Sequence, residues 1–403
     1  MNENFQNARD LFVQGIEDFE AGRLDAAEAK FQSSLLLVPG RVSTLTNLAA
    51  TLIKLGRAEA ALGVLDQALA VEADNPDAWF HRGVALGDLK RFEDALAAFA
   101  RFLCLRPEHA GAWFRHGQTL QQLERHEQAL PSYDKALAID PGLALAWSNR
   151  GGILKDLQRP DEAAASFRQA ITHGADAELN GYFLASVQAP GTGPAAPATA
   201  PAHYVQHLFD NYAETFDAHL VQVLHYQAHT VLVRDLQGLH GDSFQRALDL
   251  GCGTGLCGPL VQPFTRHIDG VDLSPNMLAK AAALQVYQRL VQADVVDYLQ
   301  TTDQRYDLVL AADVFIYVGD LGPVFHGAAR VMDSGGVFCF SVETPHGGAD
   351  FELKTSLRYG QSERYVRAMA EQHGFDVIQV LHQPIREDQR QPIAGLYVYL
   401  GKR

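Results

Sequence analysis

Residues Ala247 to Gly255 read Ala-Leu-Asp-Leu-Gly-Cys-Gly-Thr-Gly. A short apolar run carries an acidic residue, a glycine-dense turn follows, and an apolar, helix-like segment begins at Leu256. This pattern predicts the strand–turn–helix of a nucleotide-binding α/β unit. Gly251, Gly253 and Gly255 let backbone approach a ligand where a helix begins. Any tight turn between strand and helix uses glycine, so the spacing to the next acid matters. Asp272 closes the following apolar run, His267 to Val271, about where the acid of a second strand meets a ribose.

Strand and helix patterns alternate from Arg246 onward, which predicts a doubly wound sheet. Ala247–Leu250 and Ile268–Asp272 are the first two predicted strands. Ser274-Pro275 opens a helix through Ala283, with serine as N-cap and proline at the first helical position. Leu290–Ala293, Asp307–Ala311 and Val337–Val342 are further strands, the last preceded by a helix around Pro323–Met332. Glu363–His373 is predicted helical, and Asp376–Leu381 and Leu396–Leu400 are the final strands. Asp249, Asp272, Asp294 and Asp313 fall at or beside the edge where strands end, the edge that forms a ligand crevice. Acids at four successive strand ends point to a ligand rich in hydroxyl, amino and ammonium groups.

Upstream the sequence repeats itself. Trp79, Trp113 and Trp147 are 34 residues apart, and so are Gly83, Gly117 and Gly151. Phe99, Tyr133 and Phe167 keep the same period, and the frame gives five repeats starting near residues 8, 42, 76, 110 and 144. Paired antiparallel helices explain it. Small residues at the eighth and twentieth positions allow close approach, and aromatic or leucine knobs fill the groove. Ala177 to Gln188 is expected to form a terminal helix sealing the stack. Asn47 and Asn149 share the sixth position of their repeats, where an amide can hold a peptide backbone or make a contact within the array.

Residues 189–202 are a Pro/Ala/Gly stretch without period, expected as a semi-rigid tether or a domain boundary. Helical patterning resumes at Tyr204. Phe209, Tyr212 and Phe216 share one predicted helical face, either packed on a sheet or serving as a lid with Tyr212 nearest the ligand.

The composition is that of an ordinary globular chain, 47% apolar and 20% charged over 403 residues. Net charge is −15, and the part through Gln188 holds 18 Lys+Arg against 25 Asp+Glu. Neither half has the basic stripe that phosphate backbones require, so nucleic acid is not an expected partner. No apolar run is long enough to span a membrane, and Met1 to Phe5 lack the features of a secretion signal. Cys104, Cys252, Cys257 and Cys339 have no CxxC spacing. Free thiols in a reducing cytoplasm, and no metal site, are expected.

The repeat frame resembles the tetratricopeptide repeat over about residues 8 to 177. From about residue 203 the chain resembles class I S-adenosylmethionine-dependent methyltransferases, and the two halves together resemble bacterial tetratricopeptide-repeat methyltransferases. The implied fold is multidomain: an all-α solenoid over 1–188, a linker over 189–202, and a Rossmann-like α/β domain over 203–403. The implied cofactor is S-adenosylmethionine, with S-adenosylhomocysteine as product. By the resemblance, Gly251, Cys252, Gly253 and Gly255 pass under the methionine part of the cofactor. Asp272 takes both ribose hydroxyls, and Asp294 takes the adenine amino group with Val295 beside it. Leu273 and Met277 pack on the adenine. Asp249, Ala312 and Asp313 bound the methionine end and the methyl.

A dinucleotide-binding Rossmann enzyme shares the glycine turn and the second-strand acid. The Gly-x-Gly-x-Gly turn, the third-strand acid and Ala312-Asp313 favour adenosylmethionine. Residues Ala311 to Phe315 do not match the Asn/Asp-Pro-Pro-aromatic motif of amino-methylating nucleic-acid enzymes. Residues Phe315 to Asp320 lack the paired glutamates of protein arginine methyltransferases. Lys354 to Ser362 resembles a family stretch usually read Gly-Arg-Tyr-Ala-His-Ser. Arg358, Tyr359 and Ser362 are kept, while Leu357 and Gln361 replace the glycine and histidine. Arg358 and Tyr359 are candidate substrate contacts, Arg358 either for a carboxylate or as a loop brace.

Methyl transfer is an in-line displacement that chiefly requires alignment and exclusion of water. Only an acceptor protonated at working pH needs a base, for which Asp313, Tyr317, His219 and His346 are candidates. Three readings follow. The first is a methyltransferase whose array recruits a peptide or protein through its concave face. The second is a small-molecule biosynthetic methyltransferase with the array used for docking or assembly. The third is a scaffold without turnover.

Overall fold

The structure is a computed structural model that describes residues 3–188, 196–218, 220, 223–224, 226–236, 243–388 and 390–403. Two compact units divide the chain, Met1–Asn180 and Gly181–Arg403.

The first unit is a run of helix pairs at the expected period. α1 (Glu3–Glu20) pairs with α2 (Leu24–Leu37), α3 (Val42–Lys54) with α4 (Ala58–Val71), and α5 (Pro76–Asp88) with α6 (Phe92–Leu105). α7 (Ala110–Gln122) pairs with α8 (His126–Ile139), and α9 (Ala144–Asp156) with α10 (Pro160–Thr172). Close approach has a visible cause. A Cβ added to Gly15, Gly83 or Gly151 would lie 2.6–2.7 Å from the ring of Phe31, Phe99 or Phe167 respectively. In the second repeat Leu65 stands in place of the ring, and Ala49 in place of the glycine, so the smaller knob leaves room for a methyl. The tryptophans explain their own recurrence. Trp79, Trp113 and Trp147 donate their indole N–H to the carbonyls of Ala73, Pro107 and Pro141, each six residues earlier, at 2.7–2.9 Å.

Asn47 and Asn149 are engaged inside the array. Asn47 donates to the Ser43 carbonyl at 2.8 Å, and Asn149 donates to the Tyr133 hydroxyl at 3.3 Å.

α11 (Ala177–Val187) does not simply seal the stack, because the division between units falls inside it. Tyr182 is fully buried in a cluster with Val205 and Tyr359, and its hydroxyl donates to the Leu357 carbonyl. The tether expected over 189–202 also differs. Residues 189–195 lie outside the described residues, but the rest is fixed to the second unit. The Ala198 carbonyl accepts from the Gly319 and Asp320 amides, and the Ala200 amide donates to the Tyr317 carbonyl. Thr199 bridges Val318, and Tyr359 donates its hydroxyl to the Pro197 carbonyl at 2.7 Å. A Pro/Ala stretch cannot form a core of its own, yet its carbonyls remain good acceptors and its methyls pack well.

α12 (Ala202–Tyr212) ends at Tyr212, so Phe216 lies beyond a turn rather than on the same helix. The three aromatic side chains still cluster, Phe216 stacking edge-on against Phe209 and Tyr212 at 5.9 and 5.3 Å.

The sheet of the second unit runs β3 (Arg289–Gln292), β2 (Thr265–Asp272), β1 (Phe244–Leu250), β4 (Tyr306–Ala311), β5 (Met332–Glu343), all parallel. β9 (Gln391–Lys402) pairs antiparallel with β5 and with β8 (Phe375–Asp388). A small hairpin of β6 (Phe351–Leu353) and β7 (Tyr359–Gln361) touches the end of β5 and has no counterpart in the sequence reading. Alternation along β5 divides the core between the two faces. Phe338 and Phe340 join the cluster of Leu248, Tyr298 and Phe325, while Val337 and Cys339 join that of Leu232, Leu310 and Tyr399. Strand order reverses between β1 and β4, and the crevice opens beyond their carboxyl ends.

Candidate functional site

Beyond β1 the turn takes left-handed backbone at Gly251, Gly253 and Gly255, with φ of +60°, +55° and +94°. A Cβ on Gly251 would meet Val314 at 2.6 Å, whereas one on Gly253 would meet nothing within 4 Å. Gly253 therefore presents bare backbone to open space. Gly255 is a packing glycine, with Leu284 2.7 Å from the position of its absent Cβ.

A cavity of about 590 Å³ lies over this turn. It brings together Tyr212, Asp249, Gly251, Cys252, Gly253, Asp272, Leu273, Met277, Asp294, Val295, Ala312, Asp313, Tyr317 and Arg358. Gly255, Tyr359 and His346 are not among its lining residues. Tyr359 is fully buried beside Phe351, and His346 is exposed, paired with Glu352 at 3.4 Å. The sequence candidate His219 lies outside the described residues. Asn47 and Asn149 belong to the other unit.

The four strand-end acids are held in four different ways. Asp272 accepts from the Gly253 and Ser274 amides, each at 2.8 Å, so its carboxylate is fixed before any ligand arrives. Burial raises its pKa, and those amides pull the other way. Asp249 is buried and accepts from the Tyr287 hydroxyl at 2.7 Å. Desolvation pushes it up to about 7, with Tyr287 opposing and Asp272 adding to the rise. Asp294 caps the helix Val295–Thr301, one oxygen accepting from the Val296 and Asp297 amides at 2.8 and 3.3 Å. Asp313 stands at φ +60°, a conformation that costs a non-glycine residue energy, with its amide donating to Ser341.

Asp313 is paired through one oxygen only: burial raises its pKa, Arg386 pulls it the other way, and its Oδ1 is buried without a hydrogen-bond partner. Its Oδ2 accepts from Arg386 at 2.6 Å, and Arg386 also donates to Glu343. Glu343 is buried, yet Arg386 and Lys354 hold its carboxyl below the ordinary range. Burial raises the Tyr317 phenol, so it stays protonated near neutrality, while the Arg358 guanidinium beside it pulls the other way. Gln361, where the resembling stretch has histidine, is fully buried and donates to the Phe315 and Val318 carbonyls at 3.2 and 2.6 Å. It braces the turn after β4.

Three residues of the site escaped the sequence reading. Tyr287 and Arg386 carry no local signal. β8 was expected to end at Leu381 but continues to Asp388, and a register shift between Pro384 and Arg386 re-aims the strand there. His229 also lines the cavity, stacked on Tyr226 with ring centres 5.3 Å apart. Burial lowers its pKa, and its Nδ1 is buried without a hydrogen-bond partner.

The geometry has parallels among known proteins. Residues 248–340 match the family described as a methyltransferase domain. Residues 18–80, 85–144 and 114–178 match tetratricopeptide-repeat families. A ubiquinone biosynthesis O-methyltransferase of Hydrogenovibrio crunogenus is 29% identical over 23% of this chain and 41% of its own. One from a Bradyrhizobium species is 36% identical over 27% of this chain and 44% of its own. The matched part thus spans less than half the length of these relatives. Among solved structures, the crystal structure of MamA aligns with 40% of this chain and 93% of its own, at 24% identity and a TM-score of 0.38. Among the described residues no helix is long and apolar enough to cross a membrane. The chain joins tetratricopeptide repeats to a class I methyltransferase domain.

Proposed function

We propose that the second unit transfers a methyl group from S-adenosylmethionine to an acceptor bound in the cavity, and that the repeat array recruits a peptide or protein. The observation that carries the first part is Asp272, a carboxylate fixed by two backbone amides beside the bare backbone of Gly253. The residues fit the cofactor. Asp272 keeps lone pairs for ribose hydroxyls, Leu273, Met277 and Val295 offer an apolar slot for adenine, and the second oxygen of Asp294 takes its amino group. Gly251, Cys252 and Gly253 carry backbone under the methionine part, with Asp249 and Ala312 nearby. When bound, the sulfonium supplies an electrophilic carbon. The protein's own work is to bind, align and keep water out, to which the aromatic lining of Phe209, Tyr212 and Phe216 contributes. For a hydroxyl or amine acceptor, His229 supplies a neutral nitrogen able to take a proton.

The second reading, a small-molecule acceptor with the array used for docking, is favoured by the engagement of Asn47 and Asn149 within the array. We place the activity in the cytoplasm, in keeping with four free thiols.

Isothermal titration with S-adenosylhomocysteine tests the donor site. The full chain binds it, and Asp272→Ala weakens binding by at least about tenfold, because hydrogen bonds to a charged group each contribute about 1.5–3 kcal/mol. No binding by the natural chain, or equal binding by the variant, ends the methyltransferase reading.

A further inference from the structure

One wall of the cavity carries an unusual local charge. Lys354 donates to Glu343 at 2.8 Å, Arg386 donates to Glu343, and Arg386 reaches Asp313 at 2.6 Å. Glu343 and Arg386 are almost fully buried, their side chains 3% and 1% exposed. Every charge in this chain of contacts has an opposite neighbour. Arg358, on the turn between β6 and β7, is the fifth member and lines the same cavity. It lies beside the Tyr317 phenol, and among the described residues no carboxylate lies within ion-pair distance of it. Lys354, Arg358 and Arg386 thus face Asp313 and Glu343, an excess of one positive charge in a chain whose net charge is −15.

An unbalanced cation at a partly desolvated site is costly unless an anion joins it. Leu208, Phe209, Tyr212 and Ile316 give the same cavity an apolar and aromatic lining, while Asp249, Asp272 and Asp294 line it as well. Arg386 adds a second pointer, since its Nε is buried without a partner. A guanidinium presents two parallel N–H groups that match a planar carboxylate. A single negative charge restores neutrality, whereas a phosphate dianion would overshoot it.

Resting on the methyltransferase reading above, we infer that the methyl acceptor is a carboxylic acid with an apolar or aromatic body, its carboxylate anchored by Arg358 against the wall built by Arg386. The anchor lies wholly in the second unit.

The test uses the full chain saturated with S-adenosylhomocysteine, and two matched probes, 3-phenylpropanoate and 3-phenylpropanamide, followed by ligand-observed NMR. The acid is expected to bind about tenfold or more tightly than the amide. Arg358→Gln erases that difference, and Arg358→Lys restores part of it, since lysine keeps the charge and loses the fork. Equal binding of acid and amide, absence of binding by both, or an acid preference that survives Arg358→Gln overturns the inference. So does tighter binding of phenyl phosphate than of the acid. Titration of S-adenosylhomocysteine alone separates the two levels. If the natural chain binds it and shows no acid preference, only the anchor falls; if it binds none, the donor reading falls with it.

Discussion

At the scale of single residues, Asp249 makes the clearest statement about pH. Its carboxyl is buried and its folded pKa is pushed up to about 7, above the ordinary carboxylate value of about 4. Between those values the folded state holds a proton that the unfolded chain has released. The stability this proton brings is complete below about pH 4 and is lost as pH rises through about 7. Asp249→Asn keeps the shape and an acceptor for Tyr287 while removing the titration. The decline of the urea midpoint across that window is expected to flatten in the variant, by at most about 4 kcal/mol in unfolding free energy. Parallel declines in both proteins would contradict it. Asp249 and Asp272 were legible in the sequence because strand ends and glycine turns place them by local rules. Tyr287, His229 and Arg386 were not, because tertiary packing that no spacing encodes brings His229 and Arg386 to the cavity and Tyr287 to Asp249. Asp294 shows the same limit within one side chain, since its capping bonds to Val296 and Asp297 accompany any contact with a ligand.

Among the elements, the helix pairs were readable because two residue types per repeat do the packing. Gly83 and Gly87 separate that packing from mere helix preference. A methyl at Gly83 would strike the Phe99 ring, whereas a methyl at Gly87 meets nothing within 4 Å. Gly83→Ala is expected to cost about 1–3 kcal/mol in urea unfolding, and Gly87→Ala to add about 0.5–1 kcal/mol. Equal effects would refute the knob-and-groove account of the period. The strap from Ala196 to Pro201 is not legible as such because its composition carries no strand or helix signal, and the bonds that fix it go to residues more than a hundred positions away. Ala200→Pro removes the amide that donates to Tyr317 at 2.9 Å. It should cost about 1–3 kcal/mol and weaken S-adenosylhomocysteine binding in calorimetry, because Thr199 and Ala200 line the cavity. Unchanged affinity would leave the strap a passive covering.

For the whole molecule, composition and period gave two units, but the division between them follows burial and not the repeat frame. Tyr182 belongs to the second unit, fully buried among Val205, Leu353 and Tyr359. A chain beginning at Gly181 is therefore expected to bind S-adenosylhomocysteine as the full chain does. One beginning at Ala189 lacks that ring and should unfold more easily by about 3–5 kcal/mol. Coincident thermal midpoints for the two truncations would return the boundary to Gln188. The indole bonds carry a different implication, for ancestry. Trp79, Trp113 and Trp147 each secure the carbonyl just ahead of their own helix, so every such module arrives with its leading end already tied off. Gene duplication or loss of one 34-residue module would expose no new carbonyl there, and copy number is free to drift among descendants while the spacing inside each copy stays fixed.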